Sequence, residues 1–243
     1  MSQTDVPARE RRLSGETVHD TSPATFPARS PHEGRTVRLE PLDRARHADE
    51  LYDASHLDEE GRRLWTYLPY GPFLDRDTFG AWVEQQATLT DPRFFAVRDR
   101  RSARAVGMVS FLNIHPAHRT IEIGHIWFGP SLQNTVGATE ALFLMLGHAL
   151  DDQNYRRMEW KCNALNEPSR RAAVRLGFTF EGLFYQHLIV KGRNRDTAWY
   201  SILDHEWPAI RANFETWLDP ANFDSAGRQR RSLGDLNRAR TAT

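Results

Sequence analysis

The chain changes repeatedly between two hydrophobic periods from residue 35 to residue 219, and this restricts the fold more than any other feature. In "MEWKCNA", Met158, Trp160 and Cys162 alternate with polar residues, which predicts a half-buried strand. The stretch 138–150 instead repeats apolar residues at helical spacing. Strand and helix patterns interleave along the chain, so the sequence predicts a single α/β domain.

The other predicted elements follow the same reading. Strands are expected at "TVRLEPL", "RFFAVRD", "AVGMVSFLNIH", "TIEIGHIWF", "FTFEGLFYQHLIV" and "TAWYSIL", the last two paired across the turn "KGRNRD". Helices are expected at "RARHADELYDAS", "DRDTFGAWVEQQATL", "EPSRRAAVRLG" and 205–218. In "EPSRRAAVRLG", a proline in the first turn and Gly177 at the end mark the helix boundaries.

Composition excludes several classes of function. The 243 residues carry 32 basic and 32 acidic side chains, so no bulk field attracts the chain to nucleic acid or to a membrane surface. No apolar run approaches the roughly 18 residues of a membrane span. The N-terminus lacks the apolar segment of a secretory signal. The single cysteine excludes an internal disulfide and a cysteine-built metal site, and we expect a cytoplasmic location.

Both ends of the chain are poor in apolar residues. Residues 1–34 are rich in Pro, Ser, Thr and Arg and are predicted to be disordered. Residues 220–243 are predicted to be a flexible, basic tail. We expect this tail to be solvated. The alternative is that it contacts nucleic acid or an acidic surface through its five arginines: Arg228, Arg230, Arg231, Arg238 and Arg240.

The stretch "LQNTVGATEA", residues 132–141, has the features of a helix start that holds a phosphate. It follows a strand and a Gly-Pro break. A helix N-terminus offers unpaired N–H groups and partial positive charge, which suit a pyrophosphate. It is neither a Walker A loop nor a G-x-G-x-x-G fingerprint. Taken alone, the stretch is a weak signal, and a turn before a core helix is the better interpretation.

The next segment, "NALNEPSRRAAVRLGFTFEG", gives a strand end, Asn166, Ser169, a short helix, then "LGF" and "EG". This order resembles the GNAT superfamily of N-acetyltransferases, most closely its ribosomal-protein N-terminal acetyltransferase branch. The resemblance covers Arg35 to Leu218 and is strongest over Thr120–Gly182. It implies a GNAT-like acetyltransferase domain over residues 35–219, with a mixed, splayed central sheet and helices on both faces.

The resemblance also implies a binding loop for the pyrophosphate of acetyl-CoA, with the pattern Gln/Arg-x-x-Gly-x-Gly/Ala. Gln133 takes its first place and Ala138 its last, followed by Thr139; Val136 stands where the family has glycine, with Gly137 beside it. Backbone amides do not depend on side-chain identity. We therefore expect the loop to hold pyrophosphate if Val136 keeps a negative φ, with Gly137 free to supply a positive φ.

Amine acetylation needs a group that takes a proton from the amine, a donor to the oxyanion, and an acid for the leaving thiolate. The resemblance assigns Glu122 as the base, Ser169 as the acid, Asn166 as a pantetheine contact, and a backbone amide near Trp127–Phe128 as the oxyanion donor. Each has a structural alternative: Glu122 as a solvated strand carboxylate, Ser169 as a helix cap, Asn166 as a turn residue.

The acceptor side is predicted from aromatic residues in "LWTYLPYGPF". Trp65, Tyr67 and Tyr70 are expected to line an acceptor cleft, since this stretch does so in the resembling family, although ordinary core packing is the alternative. "HPAH" is read as a surface turn because a third metal ligand is missing. No metal is expected.

These residues predict an enzyme that moves an acetyl group from acetyl-CoA to a primary amine by direct attack. The acceptor is left open between a protein N-terminus and a small-molecule amine. A catalytically silent coenzyme-binding or regulatory module is the alternative, which Val136 brings into consideration. The partners expected are acetyl-CoA, the amine and, as an option, a second copy of the chain, with no membrane partner.

Overall fold

In the computed structural model, which describes residues 15–240, one sheet of eight strands carries helices on both of its faces. The strands are β1 His32–Glu33, β2 Val37–Pro41, β3 Arg93–Asp99, β4 Arg104–His115, β5 Thr120–Phe128, β6 Arg157–Asn163, β7 Thr179–Val190 and β8 Arg193–Leu203. The helices are α1 Arg44–His56, α2 Glu59–Arg63, α3 Arg76–Thr88, α4 Val136–Gly147, α5 Glu167–Arg175, α6 Trp207–Leu218 and α7 Leu233–Arg240. A π-helical turn, His148–Asp152, extends α4.

The strand order is β1-β2-β3-β4-β5-β6-β8-β7. Every neighbouring pair is antiparallel except β5 and β6, which run parallel. Helix α4 is the crossover between these two parallel strands, as a parallel connection requires. The predicted mixed sheet is confirmed.

The two faces of the sheet bury different cores, because successive side chains of a strand point to opposite faces. In β3, Phe95 and Val97 belong to the core that includes α4 and α6, whereas Phe94 and Ala96 belong to the core that includes α1 and α3. The prediction of helices on both faces is therefore confirmed. Met158, Trp160 and Cys162 of β6 are buried as their alternation predicts.

Side-chain caps set the starts of the main helices. Asp43 accepts from the backbone of Arg46 at the start of α1, and Asp75 forms a capping box with Thr78 at the start of α3. Thr135 caps α4, which consequently begins at Val136, two residues before the apolar repeat predicted from 138. Side-chain capping thus fixes the residues at which α1, α3 and α4 begin.

Strands β7 and β8 form the predicted hairpin, but their turn is shorter than "KGRNRD". Val190 pairs directly with Arg193, which leaves only Lys191 and Gly192 in the turn. Both residues have positive φ, 49° and 72°, as a two-residue hairpin turn requires. The longer strands bring Arg195 into β8, which the sequence analysis places in the turn.

The described part of the N-terminal segment, residues 15–34, lies against the domain. Ala24 is buried, and its N–H donates to the Pro116 carbonyl over 3.0 Å. Arg93 donates to the Pro27 carbonyl and stacks over the Phe26 ring. These residues therefore differ from the disordered tail that the sequence predicts, because backbone hydrogen bonds and the burial of Ala24 in the core fix them to the domain. Residues 1–14 lie outside the described chain.

The C-terminal segment is also packed where it is described. Leu233 and Leu236 of α7 are buried, and Asn237 donates to the Arg175 carbonyl over 2.9 Å. Asn222 donates to the carbonyls of Trp217 and Arg231, both over 3.1 Å. The expectation of a flexible tail from residue 220 is thus wrong up to residue 240, because two leucines and two buried asparagines fix it to α5 and α6.

Candidate active site

Strands β5 and β6 diverge, and the candidate site lies where they separate. Their parallel pairing ends at Glu122 and Glu159, although β5 continues to Phe128 and β6 to Asn163. A bulge in β5, where His125 has a φ of 49°, shifts its register against β4. Two clefts adjoin at this divergence and meet at the first turn of α5. We call them the α4–α5 cleft and the β5–β6 cleft.

The α4–α5 cleft has a volume of about 1060 Å³ and is bounded by the first turn of α4, by α5 and by the C-terminal segment. Four of the residues predicted to bind the coenzyme line this cleft: Phe128, Val136, Ala138 and Thr139. Val136 is the first helical residue and has no positive φ, so the condition set for it by the sequence analysis is met. The left-handed residue of this loop is Asn134, with a φ of 58°.

Gly137 has a different role from the predicted one. It is buried in the first turn of α4 and its φ is not positive. An added Cβ would lie 2.9 Å from Val37 Cγ1 and 3.1 Å from Leu132 Cδ1. Gly137 therefore lets α4 approach β2 closely, and the expectation that it supplies a positive φ is wrong.

Two of the predicted coenzyme residues point away from the α4–α5 cleft. The Gln133 side-chain amide donates to the Phe128 carbonyl over 2.8 Å. Trp127 is buried in the α1–α3 core against Trp65, with ring centroids 5.5 Å apart. The side chains of these residues shape the loop and the core, so any contact they make with a coenzyme has to come from their backbone.

Three arginines of α5, which the sequence analysis did not select, line the α4–α5 cleft: Arg170, Arg171 and Arg175. Arg170 donates to the Tyr200 hydroxyl over 3.2 Å, and Arg175 donates to Thr139 Oγ1 over 3.1 Å. Guanidinium groups facing a helix N-terminus across a cleft of this size suit a pyrophosphate. The signal in the sequence was the "RRAAVR" run that begins at Arg170, four residues after Asn166.

The β5–β6 cleft has a volume of about 720 Å³ and contains Glu122, which is only 5% exposed. Glu122 Oε2 accepts from Asn113 Nδ2 over 2.6 Å and lies 2.9 Å from Lys161 Nζ. Lys161 Nζ also lies 2.8 Å from Glu159 Oε2. Lysine is thus shared between two carboxylates, and the alternative reading of Glu122 as a solvated strand residue is wrong.

Burial raises the pKa of Glu122, and the Lys161 ammonium offsets only part of this increase. Glu159 shows the opposite balance. Burial alone would raise its pKa, but hydrogen bonds from Arg157 and Lys161 outweigh burial and lower it. Of the two carboxylates that hold Lys161, Glu122 is therefore the one that more readily accepts a proton.

Ser169 and Asn166 line the same cleft as Glu122. Asn166 Oδ1 accepts from the Ser169 N–H over 3.2 Å and so caps α5. Trp160 Nε1 donates to Ser169 Oγ over 3.0 Å. The indole uses an acceptor site of the hydroxyl, so Ser169 stays a donor. Burial raises the pKa of the neighbouring Cys162 thiol, and a hydrogen bond with Ser169 opposes this increase.

Of the three predicted acceptor residues, only Tyr67 lines the β5–β6 cleft, and its hydroxyl donates to the Leu165 carbonyl over 3.2 Å. Trp65 is fully buried, and Nε1 donates to the Ser55 carbonyl over 3.1 Å. The prediction for Trp65 is therefore wrong; the indole is a core residue. Tyr70 is half-buried, with its hydroxyl 2.9 Å from His125 Nδ1.

His125 is a residue that the sequence analysis missed. Its ring lines the β5–β6 cleft, and burial, aided by the charge of Arg195, lowers its pKa to about 4. His125 is therefore neutral at physiological pH. Lys161, Asn113 and Arg195 were missed for the same reason: single polar residues on strands give no local signal until the strands are placed side by side.

Two further findings concern the described residues only. Within residues 15–240, no group of three His, Cys, Asp or Glu side chains is arranged to hold a metal ion. No helix in this part of the chain is both long and apolar enough to cross a bilayer.

The model of a protein family described as "Acetyltransferase (GNAT) domain" matches residues 36–179 of this chain. A GCN5-related N-acetyltransferase from Brucella melitensis is 46% identical, with a TM-score of 0.88 over 91% of this chain and 100% of that one. YdaF of Bacillus subtilis, which its name provisionally assigns to ribosomal N-acetyltransferases, is 27% identical over 72% of this chain and 94% of its own length. The ribosomal-protein-serine acetyltransferase of Escherichia coli is 35% identical over 33% of this chain and 45% of its own. With this match over more than half of its length, the chain belongs to the GNAT acetyltransferase family.

Proposed function

We propose that this enzyme transfers an acetyl group from acetyl-CoA to a primary amine by direct attack, with Glu122 as the general base and Ser169 as the acid. The observation that carries the proposal is that one cleft, which adjoins the α4–α5 cleft, contains both the buried Glu122 and the half-buried Ser169. A buried carboxylate whose pKa is raised is a better base than an exposed one.

The α4–α5 cleft would hold the pyrophosphate. The N–H groups of Val136 and Gly137 stand in the first turn of α4, where a helix has no internal acceptors for them. Arg171 of α5 lines the same cleft, and its side chain is 66% exposed. Asn166, between the two clefts, would contact the pantetheine. The thioester would then lie in the divergence of β5 and β6.

The chemical step follows from this placement. Glu122 accepts a proton from the ammonium, directly or through water, and the free amine nitrogen attacks the thioester carbonyl carbon. The oxyanion is stabilised by a backbone N–H of β5 in the segment that carries the His125 bulge and ends at Trp127–Phe128. The C–S bond then breaks, and Ser169 gives its proton to the leaving thiolate. The excess proton that the attacking nitrogen still carries passes through water to Ser169, which restores the hydroxyl and leaves a neutral amide. The products are an amide and coenzyme A.

The acceptor class that we propose is a primary amine, either the N-terminus of a protein or a small molecule. The names of the Bacillus and Escherichia relatives support a ribosomal protein as the acceptor. A cytoplasmic location and a homodimer stay predictions from the sequence. The silent-module alternative gains no support from the loop, because Val136 adopts the helical conformation that the cradle needs.

The test is thiol release from acetyl-CoA with a panel of primary amines, including peptides with serine or alanine at the N-terminus. Mass spectrometry of each product should show a single added acetyl group on the amine. The matched control is the same panel with each amine already acetylated, which should release no thiol above hydrolysis. Binding of acetyl-CoA with no amine-dependent thiol release from the whole panel would favour the silent module.

A further inference from the structure

Arg195 of β8 is a cation without a counter-ion in the β5–β6 cleft. It lines the cleft together with Thr197 and Trp199 of the same strand. Its Nε is buried and has no hydrogen-bond partner. Among residues 15–240, no carboxylate lies within 4.0 Å of its guanidinium, and no side-chain hydrogen bond to it exists. Arginine cannot lose its proton in a protein, so this charge lacks its complement.

Two cations on the neighbouring strand β6 have the carboxylate partners that Arg195 lacks in the described part of the chain. Arg157 of β6 donates to Glu159 over 2.7 Å and to Glu181 over 2.5 and 2.8 Å. Lys161, also of β6, contacts two carboxylates. A partly buried charge is normally paired in this way, because removing it from water without a counter-ion is costly. Arg195 departs from this pattern within the cleft proposed for the acceptor.

Trp199 adds a second unused donor. Its Nε1 is buried and has no hydrogen-bond acceptor in the described chain. Trp199 lies four residues after Arg195 on β8, so both side chains point to the same face of the sheet. Lys161 Nζ lies 4.0 Å from the centroid of the Trp199 ring, which places the indole beside the Glu122 network.

The guanidinium lies near the reacting groups and not near the expected phosphates. Burial lowers the pKa of His125, and the charge of Arg195 adds to this effect. Burial also lowers the pKa of Arg195 itself, an effect that the charges of Cys162 and Glu122 oppose. The α4–α5 cleft contains its own arginines, and Arg195 does not line it. An anion that reaches Arg195 would therefore arrive with the acceptor amine, which has to approach Glu122 through the same cleft.

We propose that Arg195, assisted by Trp199 Nε1, binds a carboxylate or phosphate group carried by the acceptor amine. The acceptor is then an amine with an anionic group on the same small framework, such as an amino acid, an acidic N-terminal dipeptide or a phosphorylated amine. The cleft offers it a carboxylate for the ammonium end and a guanidinium for the anionic end. The acetylation of this acceptor rests on the proposed function, but its recognition does not.

The experiment compares acceptors that differ only in the anion: serine with serinamide, the dipeptide amide Ser-Glu with Ser-Gln, and phosphoethanolamine with ethanolamine. The first pair tests a free carboxylate, the second an acidic side chain and the third a phosphate. In the wild type, kcat/KM should be at least about tenfold higher for the anionic member of at least one pair, as expected for a charge-assisted hydrogen bond. Arg195→Gln should remove this preference mainly through KM, and Arg195→Lys should restore part of it.

The control variant is Arg193→Gln, which removes the same charge from an exposed residue of the same strand that does not line the cleft. It should keep the wild-type preference. Calorimetry of the same six compounds gives a readout that is independent of acetyl transfer. The wild type could bind the anionic compounds more tightly, lose this preference in Arg195→Gln, and yet acetylate none of the amines. That result would support the inference and contradict the proposed function. The inference would be overturned if the two members of every pair had equal kcat/KM and equal affinity in the wild type. It would also be overturned if Arg195→Gln lowered kcat/KM equally for both members of a pair.

Discussion

The α4–α5 cleft and the β5–β6 cleft adjoin each other but are built in different ways. The first is formed by a helix N-terminus and by arginines that follow one another along α5. The second is formed by single charged side chains from strands far apart in the chain, such as Glu122 of β5, Lys161 of β6 and Arg195 of β8. Backbone groups dominate one cleft, and buried side chains dominate the other.

This difference predicts which amino-acid substitutions each cleft tolerates. The proposed cradle of backbone N–H groups depends on the conformation of its residues and little on their side chains. We therefore expect it to tolerate Val136 in place of the family's glycine. A network of buried charges depends on every member, because removing one partner leaves the other charge uncompensated. Variants in the two clefts should therefore respond differently.

The largest effect is expected for Lys161→Met. This change leaves the buried carboxylate of Glu122 and the half-buried carboxylate of Glu159 without their shared cation. We expect the free energy of unfolding at neutral pH to fall by about 3 kcal/mol, the usual cost of breaking a buried ion pair. Urea unfolding measures it. Adding Glu122→Gln should recover part of the loss, because Glu159 still has Arg157 as a partner whereas Glu122 has no other cation partner in the described chain. A loss below about 0.5 kcal/mol, the range of surface changes, would show that the network is solvated.

A smaller effect is expected from exchanging residues in the first turn of α4. Gly137→Val places a branched side chain against Val37 and Leu132, and overpacking of this kind costs roughly 1–3 kcal/mol. Val136→Gly, its matched partner, should cost no more than about 1 kcal/mol. Acetyl-CoA affinity, measured by calorimetry, should change little in Val136→Gly. A large loss there would mean that the valine side chain itself contacts the coenzyme.

The third effect depends on pH and concerns His56, which holds the loop carrying Tyr67 and Tyr70. Its Nε2 accepts from the Phe73 N–H over 3.0 Å, and burial lowers its pKa to about 4. The unfolded chain therefore binds this proton more readily, so its contribution to stability is complete above about pH 6.5 and is lost as the pH falls towards 4. In His56→Gln, the unfolding free energy should decline less steeply between these pH values. Parallel curves would remove His56 as a source of acid sensitivity.

The elements of the fold could be predicted from the sequence because their periodicity is local. The alternation in β6 gave its buried residues, and Pro168 and Gly177 marked the ends of α5. At Gly177 the φ is 97° and an added Cβ would lie 3.1 Å from Ile210 Cγ2, so both conformation and packing require glycine. The ends of the chain were misjudged, because Asn222 and Asn237 fix the C-terminal segment through hydrogen bonds that hydropathy does not register.

The site could be predicted only in part. Glu122, Ser169 and Asn166 were found through a motif resemblance, and the structure brings all three into one cleft. The partners of Glu122 could not be found in this way, because Lys161 meets it only after β5 and β6 pair in parallel. Trp65 was misassigned because a core tryptophan and a cleft tryptophan look alike in a loop sequence.

The most direct test of Glu122 as the base is the pH dependence of kcat/KM in the wild type and in Glu122→Gln, with Glu159→Gln as the control. In the wild type, kcat/KM should rise with pH as Glu122 loses its proton. This rise should occur at a higher pH than for an ordinary glutamate, because burial raises the pKa of Glu122. Glutamine keeps the size of the side chain but not its basicity. Near neutral pH we expect at least about a tenfold lower kcat, with the deficit shrinking at high pH, where the amine is already free. Glu159→Gln should retain the wild-type limb. Superimposable profiles for wild type and Glu122→Gln would contradict the account and leave solvent as the base.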